Sequence, residues 1–113
     1  MLNRIEIVRG TTNTFELTVI DADGNAYAMA QTEKIIFGVK RKATDTERVI
    51  TKTAVMLAVG TYSITLTPED TNCLTCEKYV YDVSLESGNN FYNIVEPSLF
   101  IILPNVTERG CAN

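Results

Sequence analysis

Apolar and polar residues alternate along most of this sequence, and turn-forming residues interrupt the alternation about every ten positions. The clearest case is the segment containing Tyr62, Ile64 and Leu66, where serine and threonine fill the intervening positions. Successive strand residues point to opposite faces of a sheet, so this alternation is typical of a half-buried β-strand. Short strands separated by turns at this spacing predict an all-β domain.

The same pattern predicts about seven strands. They are centred on residues 5–7, 15–19, 35–39, 49–54, 62–66, 79–85 and 91–103. Between the fifth and sixth of them, Thr67 is a helix cap, Pro68 suits the first helical position, and two carboxylates follow near the positive end of the helix dipole. One short helical turn is expected there. Two packed antiparallel sheets accommodate these elements, and a closed barrel is the alternative.

We predict an immunoglobulin-like β-sandwich over residues 1–105 and a short tail over residues 106–113, because 113 residues is the usual size of one domain. In this fold a tyrosine near the crossover between the two sheets bonds through its hydroxyl to nearby backbone. Tyr79 is the candidate for this tyrosine corner. The alternative is a tyrosine that packs in the sheet and leaves its hydroxyl in water.

The charge of the chain argues against a nucleic-acid partner. A net charge of -4 and a pI near 4.7 repel phosphate. The basic run Lys40-Arg41-Lys42 lacks interleaved aromatic residues that would stack on bases, so it is interpreted as a solvated strand end. We also expect no membrane partner, because no apolar run approaches the roughly 20 residues of a membrane-spanning helix. The first residues lack the apolar core of a secretory signal, so no export is expected.

Catalytic residues are not predicted. The chain contains no histidine, the usual base of nucleophilic hydrolases. The carboxylate pairs Asp21 with Asp23 and Glu69 with Asp70 occupy positions that turn and helix-cap chemistry already explains. We therefore expect a protein that is not an enzyme.

Metal ions and other cofactors are also not predicted. Cys73 and Cys76 have the spacing of half a zinc site or of a redox pair, but without histidine a full site would need Cys111 and a carboxylate. An odd number of cysteines favours thiols in a reducing compartment, although metal binding or pairing of the first two stays open. The segment 21–25 resembles the start of a calcium loop, but Ala26 replaces the glycine that an EF-hand requires.

Several of these segments together resemble a phage-associated family, the immunoglobulin-like N-terminal domain of siphophage baseplate upper proteins and related prophage proteins. The segments that carry the resemblance are residues 5–10, 15–19, 21–25, 64–71 and 78–83. The resemblance implies a structural role in a tail or baseplate, docking on other virion proteins, and it implies no catalytic residues. It also implies a location in the virion, or in the host cytoplasm during assembly. Such baseplate proteins continue into long additional regions, whereas the sequence here stops soon after Pro104, so the organiser role of those regions is not expected.

The segment Leu99–Leu103 is apolar at every position, whereas an antiparallel strand usually has one wet face. Phe100 and Ile102 therefore need a cover, which is either another part of the chain or a partner. These two residues are the predicted partner interface, with tail or baseplate subunits or a second copy as the partner.

The sequence thus favours a non-enzymatic interaction module of a phage or prophage tail. The alternative is a bacterial adhesion-like or carbohydrate-binding sandwich, which would require exposed aromatic platforms that the sequence does not locate. A sandwich fold by itself does not choose between these functions.

Overall fold

The structure is a computed structural model, and it describes residues 4–106. This part of the chain contains eight strands and one short helix. In chain order they are β1 (Ile5–Val8), β2 (Asn13–Thr18), β3 (Glu33–Lys40), β4 (Ile50–Thr53), β5 (Val55–Ala58), β6 (Thr61–Leu66), α1 (Pro68–Asn72), β7 (Lys78–Ser87) and β8 (Asn90–Leu103). The all-β prediction is confirmed. The predicted tail lies outside the described residues except for Val106.

The strands form two sheets. The five-stranded sheet has the order β1-β8-β7-β3-β4, and the three-stranded sheet has the order β2-β6-β5. Strands β1 and β8 run parallel, and the other paired strands run antiparallel. The sheets pack face to face, with the ring of Phe15 in one stacked against that of Phe37 in the other at 6.4 Å between centroids. The predicted two-sheet arrangement is therefore confirmed.

The core lies between the sheets and contains the side chains that the alternation assigned to inward positions. Tyr62, Ile64 and Leu66 of β6 are all buried. On the facing sheet, the rings of Phe37 and Tyr81 lie 5.5 Å apart in a tilted arrangement, which is one of the geometries that aromatic pairs prefer. Burial of these apolar surfaces is the main favourable term that holds the two sheets together.

The predicted strand over residues 49–54 is in fact two strands in different sheets. Strand β4 ends at Thr53, and β5 begins at Val55. Between them Ala54 is buried and donates its N–H to the carbonyl of Ile35 at 2.8 Å, after which the chain pairs with β6. Both halves are extended, so periodicity alone does not reveal the change of sheet. The helix consequently lies between the sixth and seventh strands rather than between the fifth and sixth.

Helix α1 begins as predicted. Pro68 occupies the first turn, and the carboxylate of Asp70 accepts a hydrogen bond from the backbone N–H of Thr67 at 2.6 Å. The same carboxylate forms an ion pair with Lys52 of β4 at 3.0 Å. This ion pair links the helix to β4, an edge strand of the five-stranded sheet.

Strands β7 and β8 form a hairpin, and Gly88 in its turn adopts a positive φ of 60°. The ladder shifts register near Pro97, since Tyr81 pairs with Ser98 whereas Val83 pairs with Val95. A proline cannot donate a ladder hydrogen bond, so a bulge at this position is expected.

Candidate functional site

The two residues predicted as the partner interface lie in the core. Phe100 is 0% exposed and Ile102 is 2% exposed. The pairing of Phe100 with Ile5 and Tyr79 places its side chain on the face that the three-stranded sheet covers. Its ring centroid lies 6.0 Å from that of Phe37. This corrects the sequence interpretation, because the cover comes from the same chain and neither side chain presents a surface to a partner.

Tyr79, the tyrosine-corner candidate, is fully buried near the start of β7. Its hydroxyl donates to the backbone carbonyl of Thr75 at 2.8 Å. A bond from this position to backbone a few residues upstream is the one that a tyrosine corner makes. The guanidinium of Arg41 lies 5.7 Å from the centre of the Tyr79 ring and forms an ion pair with Glu77 at 2.9 Å. One member of the basic run therefore packs on the Tyr79 ring.

The two described cysteines, Cys73 and Cys76, differ in covalent state. Cys73 is disulfide-bonded, whereas Cys76 is a free, exposed cysteine. The two therefore do not pair with each other, and the expectation that all cysteines are free thiols is corrected at Cys73. Cys111 lies outside the described residues. Within residues 4–106, no group of three or more histidine, cysteine, aspartate or glutamate side chains is placed to hold a metal ion.

The segment 21–25 is a turn held by its own side chain. One carboxylate oxygen of Asp21 accepts the backbone N–H groups of Asp23 and Asn25, at 2.9 and 3.0 Å. Gly24 supplies the positive φ of 84° that the turn needs. Bonds of this kind are typical of aspartate in tight turns. The arrangement explains the residue composition without a bound ion.

Strand β5 carries the most exposed apolar segment of the described structure. Along β5 and into the following turn, the side chains of Val55, Met56, Leu57 and Val59 are between 46% and 61% exposed. The strand forms one edge of the three-stranded sheet and pairs only with β6. Both of its faces and its outer backbone edge are therefore open. Exposed apolar segments can mark sites where other proteins bind, so β5 is the candidate site.

Strand β5 also differs in charge from the other edge strands. Two sheets have four edges, which here are β1, β2, β4 and β5. Glu6, Glu16 and Lys52 place a charge in each of the first three, whereas β5 carries none. Natural proteins commonly place charges on edge strands to prevent pairing with other chains. A register shift between Met56 and Ala58 bends β5 but adds no charge to it.

A second exposed feature is a groove at the end of the sandwich, between the segment 18–22 and the tip of the β7–β8 hairpin. It has a volume of about 750 Å³ and is open to solvent. Its lining residues are Thr18, Val19, Ile20, Asp21, Ala22, Tyr27, Glu33, Leu85, Ser87, Tyr92, Asn93 and Ile94. Tyr92 is 54% exposed, so part of its ring faces open space.

Tyr27 and Glu33 form a hydrogen-bonded pair in this groove. The Tyr27 hydroxyl donates to one oxygen of the Glu33 carboxylate at 2.6 Å, and the backbone N–H of Ala30 donates to the same oxygen at 2.9 Å. The hydrogen bond to the carboxylate raises the pKa of Tyr27 to about 12, because it favours the protonated phenol. The same bond, together with those from Ala30 and Ser87, lowers the pKa of Glu33.

Sequence reasoning missed both exposed features. The signal for β5 was present in the sequence, since residues 55–59 read Val-Met-Leu-Ala-Val without a charge. Tyr92 gave no such signal. It stands beside Phe91, and the sequence does not show which of these two aromatic rings borders the groove.

Comparisons with known proteins show similarity in fold alone. No family model matches the chain, and no curated protein matches it. One similar solved structure, from Bacteroides vulgatus, is described as that of a "putative glycoside hydrolase". The similarity has a TM-score of 0.52 at 14% sequence identity and covers 90% of this chain, and this chain spans 17% of the length of that protein. In the described residues, no helix has the length and apolar character to cross a membrane.

Proposed function

We propose that this chain is a non-enzymatic structural module that docks on another protein through strand β5. The observation that carries the proposal is an edge strand with exposed apolar side chains and no charge. An extended segment of a partner can add to such an edge by main-chain hydrogen bonds, and apolar side chains on both faces then add affinity. The partner proposed is a subunit of a phage or prophage tail or baseplate, acting in the virion or in the host cytoplasm during assembly.

The fold type supports this proposal. The hydroxyl of Tyr79 bonds to the backbone of Thr75, and α1 connects the two sheets just before it. A five-stranded sheet with β7 at its centre packs on a three-stranded sheet, and this arrangement is consistent with the immunoglobulin-like type. That is the fold of the phage domains that the sequence resembles.

A non-enzymatic role is supported by what the candidate carboxylates do. Asp70 caps α1 and pairs with Lys52, and Asp21 holds its own turn. The Glu33 carboxylate is held by Tyr27 and Ala30. Each of these groups has a structural task in the folded chain.

A binding experiment with matched variants tests the proposal. The chain would be immobilised and exposed in turn to each purified tail or baseplate protein encoded next to its gene, with binding followed by interferometry. We expect at least one protein to bind, and Leu57→Lys to abolish its binding because it places a charge on the edge. Thr53→Lys, on the exposed edge strand β4, is the control and should bind normally.

The proposal fails if none of these proteins binds, or if the Leu57 and Thr53 variants bind equally well. Light scattering on the chain alone distinguishes a partner from a second copy. A dimer that Leu57→Lys converts to a monomer would identify the chain itself as the occupant of β5.

A further inference from the structure

The groove between the segment 18–22 and the hairpin tip has the size and composition of a small-ligand site. Its volume of about 750 Å³ falls within the range of roughly 300–1,000 Å³ that is usual for such sites. Leu85 and Ile94 supply apolar lining, and Tyr27 and Tyr92 supply aromatic rings. We propose that this groove binds a neutral oligosaccharide. The proposal does not depend on the docking role of β5.

Tyr92 provides a platform for the apolar face of a sugar ring. It pairs with Leu85 across the hairpin, so its side chain lies on the face of the sheet that borders the groove. Tyrosine combines an apolar ring with a polar hydroxyl, and it is enriched where a ligand has both characters. A pyranose is such a ligand, because C–H groups form one face and hydroxyl groups surround the rim. The adjacent Phe91 is equally exposed at 54% but does not line the groove.

Polar groups at fixed positions surround this platform. Tyr27 and Ala30 donate to one oxygen of the Glu33 carboxylate, and Ser87 also bonds to this carboxylate, so its orientation is fixed. Ser87 and Asn93 add a hydroxyl and an amide to the lining. A few oriented polar groups in a largely apolar groove are the usual source of ligand specificity. Hydroxyl groups of a sugar can donate to the carboxylate and the amide oxygen.

The charge of the groove favours a neutral ligand. No lysine or arginine is among the described residues that line the groove, whereas the acidic residues Asp21 and Glu33 both line it. Phosphates, sulfates and uronic acids are therefore repelled. Each carboxylate already accepts two hydrogen bonds on one oxygen, and this reduces its attraction for a cation. Because the groove is open to solvent, a chain of sugars can extend beyond it.

Nuclear magnetic resonance titration of the full chain tests this proposal. The probes are three neutral oligomers (cellohexaose, maltohexaose and N-acetylchitohexaose), with hexagalacturonate as the anionic and hexaglucosamine as the cationic comparison. We expect at least one neutral oligomer to shift backbone amide signals in residues 18–33 and 85–94 at millimolar concentration. The charged oligomers should bind at least about tenfold more weakly.

Two neighbouring aromatic residues provide a matched pair of variants. Tyr92→Ala should weaken binding of the neutral oligomer about tenfold or more, whereas Phe91→Ala should leave it within about twofold. Both side chains are half exposed, so we expect both variants to fold. Thermal midpoints equal to that of the wild type will show this. The proposal is overturned if all three neutral oligomers leave the spectrum unchanged, if the cationic oligomer binds best, or if both variants weaken binding equally.

Discussion

Two apolar segments of similar composition have opposite environments in this protein. Residues 99–103 read Leu-Phe-Ile-Ile-Leu, and residues 55–59 read Val-Met-Leu-Ala-Val. The first belongs to β8, which pairs with β1 on one side and β7 on the other and has a second sheet over one face. The second includes β5, which pairs only with β6. Apolar composition therefore does not identify an interface in this chain. The strands and the sheet that pack against a segment decide whether it is buried or exposed.

The largest expected effect is that of a charge introduced into the buried segment. Phe100→Asp should abolish the folded state, because an unpaired buried carboxylate costs several kcal/mol and the total stability of a domain is only about 5–15 kcal/mol. Loss of the β-sheet signal in circular dichroism at room temperature would show this. Leu57→Asp is the control, and it should retain that signal. A folded Phe100→Asp protein would mean that β8 is not enclosed as described.

Truncation of one side chain in each segment gives a smaller and graded test. Ile102→Ala should lower the free energy of unfolding by about 2–5 kcal/mol, because it leaves a cavity in the core. Leu57→Ala should change it by less than about 0.5 kcal/mol, because that side chain is already solvated. Urea denaturation of both variants measures the difference. Equal losses would contradict the contrast between the two segments.

The smallest expected effect is that of pH. Neither segment carries a titratable side chain, so a change of pH should not alter the difference between the buried segment 99–103 and the exposed segment 55–59. The pKa of Tyr27 is raised from 10.0 to about 12 in the folded chain. The hydrogen bond from its phenol therefore contributes stability that is complete below pH 10 and is lost as pH rises through 12. We expect the free energy of unfolding to fall between about pH 10 and pH 12. The fall should be smaller in Tyr27→Phe, which lacks this phenol.

Urea denaturation at pH 9 and pH 11 measures this fall for the wild type and for Tyr27→Phe. The difference between wild type and Ile102→Ala should be the same at both pH values. If Tyr27→Phe loses as much stability as the wild type, then the bond to Glu33 does not contribute as described. The pKa of Glu33 is lowered, so its own contribution is present above pH 4.5 and is lost at more acidic pH.

Most strands were predictable because strand alternation is a local property. The inward positions of β6, the cap of α1 and the turn before β8 each follow from neighbouring residues. The change of sheet at Ala54 was not predictable in the same way. It depends on a hydrogen bond to Ile35, which is remote in the sequence.

The candidate sites were less predictable than the fold. The apolar segment 55–59 is visible in the sequence, but an identical signal at 99–103 belongs to the core. Tyr92 and Phe91 are equally exposed, and only the folded chain shows that Tyr92 lines the groove. A groove formed by the turn at Asp21, the start of β3 and the hairpin tip joins segments that only folding brings together.

The amino-acid sequence by itself determined the class of the fold, since side-chain alternation and turn residues act within a few positions of each other. It also determined that a histidine-based active site is absent, because composition does not depend on folding. The tertiary structure alone decided which apolar segment is buried and which remains exposed. Burial depends on what packs against a strand, and those neighbours come from distant parts of the chain.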